Sequence, residues 1–111
     1  MPKKDIKYLY DIMNAIEGIQ IHIKNINNYE DYIAKSNYTC RKVMEGELEI
    51  IGEAVRKFIE FKVENTIENV HQIIGLRNRI IHSYDSVDDA DIYNIIKNHI
   101  PKLQNEITKK L

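Results

Sequence analysis

At 111 residues, 43% hydrophobic and 30% charged, with a formal net charge of −1 at pH 7, the chain has the size and composition of one globular domain over residues 1–111. No apolar run approaches the roughly 20 residues that cross a bilayer, and so balanced a charge excludes coating of nucleic acid through a broad basic field; any such contact must be local. Cys40 is the only cysteine, which rules out an intrachain disulfide and a cysteine-based metal cluster. The basic opening around Lys3, Lys4 and Lys7 lacks the apolar stretch of a secretory signal, so a cytoplasmic location is expected.

Four glycines and two prolines are few helix breakers, and no alternating segment is long enough to predict a sheet. A first helix is predicted over Lys4–Asn25, where Ile6, Leu9, Met13, Ile16, Ile19 and Ile23 recur every three or four residues. Asn27-Asn28 interrupts it, Tyr29–Ala34 allows one or two further turns, and Ser36 or Asn37 offers a cap for a second long helix. That helix carries Val43, Met44, Leu48, Ile51, Val55, Phe58 and Ile59. Gly52 lies inside it at a cost of about 1 kcal/mol relative to alanine, which implies that another backbone or a ligand comes close there; Ala54 adds a second small residue. A third helix is predicted from about Ile67 to Tyr84. Asp88 caps a last one, striped by Ile92, Ile95, Ile96, Ile100, Leu103 and Ile107 and kinked at Pro101. The expected fold is all-α, an up-and-down bundle of four main helices with room for a short extra helix.

One residue on the third helix does not fit its surroundings. At about 100° per residue, Val70, Ile73, Ile74, Ile80, Ile81 and Tyr84 all fall within roughly 60° of Arg77, which centres an arginine on the apolar stripe. Arginine keeps its charge, and burying it unpaired would cost several kcal/mol, so Arg77 must find a partner or face a cleft, or else snorkel from a loosely packed helix. His82 lies about 140° round from Arg77, whereas Asn78 and His82 are i,i+4 neighbours on one flank. Arg77 and His82 come together if the arginine reaches round, if the helix frays near Tyr84, or if a second copy of the chain completes the site; the last is favoured. Arg77 and Tyr84 share a face, about 10 Å apart along the axis.

The remaining candidates are weaker. His22, His71 and His99 have no cysteine or carboxylate cluster at ligand spacing and read as surface or structural residues. The short basic pairs Arg41-Lys42 and Arg56-Lys57, and the acids Glu45, Glu47 and Glu49, read as solvated helix faces. Glu53 stands apart because it adjoins Gly52, where an acid can pair with Arg77 or orient His82.

The segment Arg77-Asn78-Arg79-Ile80-Ile81-His82-Ser83-Tyr84 resembles the Arg-polar-x-x-x-His motif of HEPN domains, helical bundles that commonly act as metal-independent RNases. Its extension to Tyr84 is similar to the Arg-x-x-x-x-His-x-Tyr motif of the HepT toxin branch, and Ile50-Ile51-Gly52-Glu53-Ala54 is similar to that branch's second typical segment. The resemblance implies a HEPN-like fold without a cofactor and a homodimer whose two motifs face each other across a cleft. It also implies a toxin–antitoxin pair in which an MntA-like nucleotidyltransferase transfers AMP to the motif tyrosine, here Tyr84.

The chemistry matches those residue types. RNA carries its own nucleophile in the 2'-hydroxyl, so a metal-free RNase needs a proton acceptor, for which His82 is suited, and a group to hold the charged phosphorane, for which the planar fork of Arg77 is suited. The expected product is a 2',3'-cyclic phosphate, with Asn78 holding His82 or the phosphate. AMP on Tyr84 would bring charge and bulk into the groove that must receive RNA. The alternatives are a non-catalytic HEPN module that binds a nucleotide or a nucleotidyltransferase, and a structural bundle in which Arg77 only pairs with Glu53.

Overall fold

The structure, a computed structural model, describes residues 4–61, 67–82 and 88–111. Its elements are α1 (Lys4–Ile23), α2 (Tyr29–Ile33), a 3₁₀ turn (Lys35–Asn37), α3 (Tyr38–Phe61), α4 (Val70–His82), α5 (Asp89–Asn98) and α6 (Ile100–Lys110). The fold is the expected all-α bundle, with α1, α3, α4 and the broken pair α5–α6 as its four arms and α2 as the short extra helix. No described helix is long and apolar enough to cross a membrane.

Local chemistry explains where the helices begin and end. Asn28 caps α2, its side-chain oxygen accepting from the Asp31 backbone N–H at 2.8 Å. Ser36 and Asn37, offered above as caps for α3, form the 3₁₀ turn instead, and the Asn37 amide donates to the Asp31 carbonyl at 2.7 Å. Helix α4 starts three residues later than Ile67. Asn69 takes a left-handed conformation (φ 60°), which no helix interior accommodates and which asparagine tolerates better than most residues. Asp88 caps α5 as expected, accepting from Ala90 N–H. In place of a kink at Pro101, the chain breaks at His99 and Pro101 enters the first turn of α6, where its missing N–H leaves no bond unmade.

The core combines the predicted stripes: Leu9, Ile16 and Ile19 of α1, Met44, Leu48, Ile51, Val55 and Phe58 of α3, and Ile92, Ile96, Ile100, Leu103 and Ile107 of α5–α6 are all buried. Arg41, read from sequence as part of a solvated face, is a tie between elements. Its guanidinium donates to the carbonyls of Tyr32 (2.7 Å) and Ala34 (2.8 Å) and reaches Asp89 at 3.9 Å. Helix α3 is central, packing on α1 along one side and on α4 along another, while α6 covers α1. Between α4 and α5–α6 runs a groove of about 510 Å³ floored by Leu48, Ile51, Leu76 and Leu103. The loop before α4 is held across this groove by the Glu68 backbone N–H, which donates to Glu106 at 2.8 Å.

Candidate functional site

Gly52 sets how α3 and α4 meet. It is buried, and a Cβ built on it would overlap the Cβ of Arg77 and stand 2.8 Å from Arg77 Cγ and 3.4 Å from the Ile73 carbonyl oxygen. The close approach expected at this glycine is therefore that of α4, and the residue seated on it is Arg77.

The buried line of α4 does not run through Arg77. It runs through Leu76, 6% exposed, with Ile73 and Ile80 packed on the core beside it. Leu76 lies about 100° from Arg77, so a stripe centred on the arginine leaves it out. Arg77 sits at the edge of the stripe, where its stem packs and its head reaches a boundary. That head has its partners: Nη1 donates to Asn78 Oδ1 at 2.9 Å, and Nη2 lies 3.5 Å from Glu53 Oε1. Nε is shielded from solvent and has no hydrogen-bond partner.

Arg77 also faces a cleft. About 490 Å³ of space lies over α3, floored by Gly46, Ile50, Ala54 and Lys57 and walled by Lys7, Tyr8 and Asp11 of α1, with Arg77 as the contribution of α4. Lys7 is paired with Asp11 at 2.7 Å. The ammonium groups of Lys7 and Lys57 stand 5.1 and 5.9 Å from the centre of the Tyr8 ring, within cation–π range.

Glu53 is shared between two arginines. Arg56 grips both carboxylate oxygens, Nε to Oε1 at 2.9 Å and Nη2 to Oε2 at 3.1 Å. Those hydrogen bonds hold the Glu53 carboxyl below the usual carboxylate range, against the upward push of burial and with help from the charges of Arg56, Arg77 and Lys57. Arg56 donates onward to Glu60 at 2.8 Å. The basic pair Arg56-Lys57 is thus part of the site's surroundings. The signal that could have found Arg56 in the sequence is its i,i+3 and i,i+4 spacing from Glu53 and Glu60.

Helix α4 ends at His82. The His82 side chain and Tyr84 lie outside the described residues, and so does the alignment of Arg77 with Tyr84. Of the other histidines, His22, His71 and His99 are exposed, and the His22 ring is bonded to the Gly18 carbonyl at 2.8 Å. Glu47 is not fully solvated as expected; it lies over Gly18 of α1, and burial pushes its carboxyl up. Among the described residues no group of three or more His, Cys, Asp or Glu converges where a metal could bind.

Residues 12–109 match the model of the family described as Ribonuclease HepT-like. The chain belongs to this family. It is 34% identical to a protein of Methanocaldococcus jannaschii named as a putative RNase, over 98% of this chain and 89% of the relative. A second protein of that organism with the same kind of name is 34% identical over 96% of this chain and 97% of its own length. A protein of Thermococcus cleftensis named probable ribonuclease HepT is 28% identical over 98% and 97%. No solved structure matches at a significant level. The HepT-like match takes in Gly52, Glu53, Arg77 and His82, whereas Lys7, Tyr8 and Asp11 of the cleft wall precede it.

Proposed function

We propose that this HepT-like chain is a metal-independent endoribonuclease, the toxin of a toxin–antitoxin pair, with Arg77 and His82 as its catalytic residues. The observation that carries the reading is Arg77 itself, a permanently charged fork whose stem is fixed on Gly52 and whose head borders a cleft of about 490 Å³, in a chain whose relatives are named as RNases.

In this reading His82 takes the proton from the RNA 2'-hydroxyl, which attacks the adjacent phosphorus. Arg77 holds the nonbridging oxygens as charge builds on them. The bond to the 5'-oxygen breaks, that oxygen takes the proton held by His82, and a 2',3'-cyclic phosphate is left. The enzyme is a cytoplasmic homodimer with its site at the cleft between copies, because one straight helix separates Arg77 and His82 by about 140°. An MntA-like nucleotidyltransferase antitoxin silences it by joining AMP to Tyr84, which brings phosphate charge into the RNA groove.

Arg77→Ala and His82→Ala are each expected to lower RNA cleavage by about a hundredfold or more while the dimer persists by light scattering; if both cut RNA as well as wild type, the site assignment is wrong. Co-expression with an MntA-like nucleotidyltransferase should add AMP to the intact mass, and Tyr84→Phe should abolish the addition. An addition that survives Tyr84→Phe would remove the regulatory role of Tyr84. The ion pair between Arg77 and Glu53 favours a second reading, a structural bundle in which Arg77 only pairs with Glu53. Wild-type protein that cleaves no RNA, with a Glu53→Gln variant that is less stable, would select it.

A further inference from the structure

We infer that Arg56 is a positioning residue for Arg77: by occupying both oxygens of Glu53, it keeps that carboxylate from closing on the Arg77 guanidinium and so leaves Arg77 able to take an RNA phosphate. The inference rests on Arg77 being the phosphate-binding group proposed above.

Five side chains form a line from α3 to α4: Glu60, Arg56, Glu53, Arg77 and Asn78. Within it one carboxylate lies between two guanidinium groups, and the division is unequal. Arg56 has both oxygens, at 2.9 and 3.1 Å, in the fork geometry that makes such pairs strong. Arg77 has a single 3.5 Å approach to one of them. A phosphodiester presents two nonbridging oxygens in a geometry that the Arg77 fork can match, and on the Glu53 side it has only that loose contact to displace. Arg56 does not line the cleft that Arg77 borders, so its influence on bound RNA passes through Glu53.

Removing Arg56 changes the balance. The carboxylate then has two uncommitted oxygens beside Arg77, with its stem anchored on α3 and the Arg77 stem held on Gly52. The pair closes into a two-point ion pair, which RNA must break before binding. A residue that only decorates a helix face, as i,i+3 and i,i+4 pairs usually do, has no such effect on substrate affinity.

The test uses a mixed-sequence single-stranded RNA for kinetics and its 2'-O-methyl analogue, which lacks the nucleophile, for equilibrium binding by the full-length dimer. Arg56→Ala is expected to raise KM and the Kd of the analogue about tenfold with kcat little changed, and Arg56→Gln to do the same. The double variant Arg56→Ala/Glu53→Gln is expected to recover the Kd of Glu53→Gln, because no carboxylate remains to close on Arg77. Glu60→Gln is expected to bind as wild type. The inference is overturned if Arg56→Ala keeps the wild-type KM and Kd, or if the double variant binds as weakly as Arg56→Ala, which would make Arg56 a direct RNA contact. Arg77→Ala separates the two levels. If it binds and cuts as wild type, the reading beneath fails; if it is impaired while Arg56→Ala is not, only the role of Arg56 falls.

Discussion

Arg77 has a charge that pH does not remove, so its neighbours decide what it can bind. Its need for a partner or a cleft was legible in the sequence, but its place was not: it stands at the edge of the buried line through Leu76, not at the centre of the apolar stripe. Glu53 was legible only through its place beside Gly52, and Arg56 was not singled out, because acid–base pairs at helical spacing are common on any solvated face. Asn78, a candidate to hold His82 or phosphate, accepts from Arg77, an i,i+1 contact that helical periodicity does not suggest. The shared carboxylate makes a prediction in acid. The folded-state pKa of Glu53 is lowered, chiefly by the Arg56 hydrogen bonds, so the folded state binds its proton less readily than the unfolded chain. Its contribution to stability is then present above the unfolded value of about 4.3 and is lost as pH falls through the lower folded value. Thermal melts of wild type and Glu53→Gln should differ most at neutral pH and converge in acid as pH falls through that lowered value. A constant difference across that range would mean that the Glu53 charge does not contribute.

At the scale of elements, the contact between α3 and α4 at Gly52 is what gives Arg77 its place. Alanine there gains about 1 kcal/mol of helix propensity but puts a methyl group into the Cβ of Arg77, an atom that moves only with the α4 backbone. Overpacking of this kind costs about 1–3 kcal/mol. Gly52→Ala is therefore expected to be neutral to destabilising by up to about 2 kcal/mol in denaturant melts, and to lose RNA cleavage out of proportion to that change. A variant more stable than wild type with full cleavage would show that α4 does not rest there. The existence of the helices and most of their buried stripes followed from a three-to-four-residue period. Their limits did not, since the start of α4 depends on the left-handed Asn69 and the break before α6 on His99 as well as Pro101. Both are backbone events without a periodic signal. Leu76 was missed for a related reason: the apolar face of α4 is wide, and its buried line is selected by α3.

The whole molecule measures 47 × 27 × 20 Å, with α4 leaning on α3 and a groove separating it from α5–α6. Helical geometry keeps Arg77 and His82 on different faces of α4, so the proposed site draws on two copies of the chain. Subunit mixing tests that claim most directly. Arg77→Ala and His82→Ala should each be inert in RNA cleavage as pure proteins. Co-expressed and purified together they form mixed dimers, in which one of the two sites receives an intact Arg77 from one chain and an intact His82 from the other. The predicted result is recovery to about a quarter of wild-type cleavage in an equal mixture, the fraction expected from random pairing. A mixture as inert as its components, with mixed dimers shown to be present, would contradict the shared site.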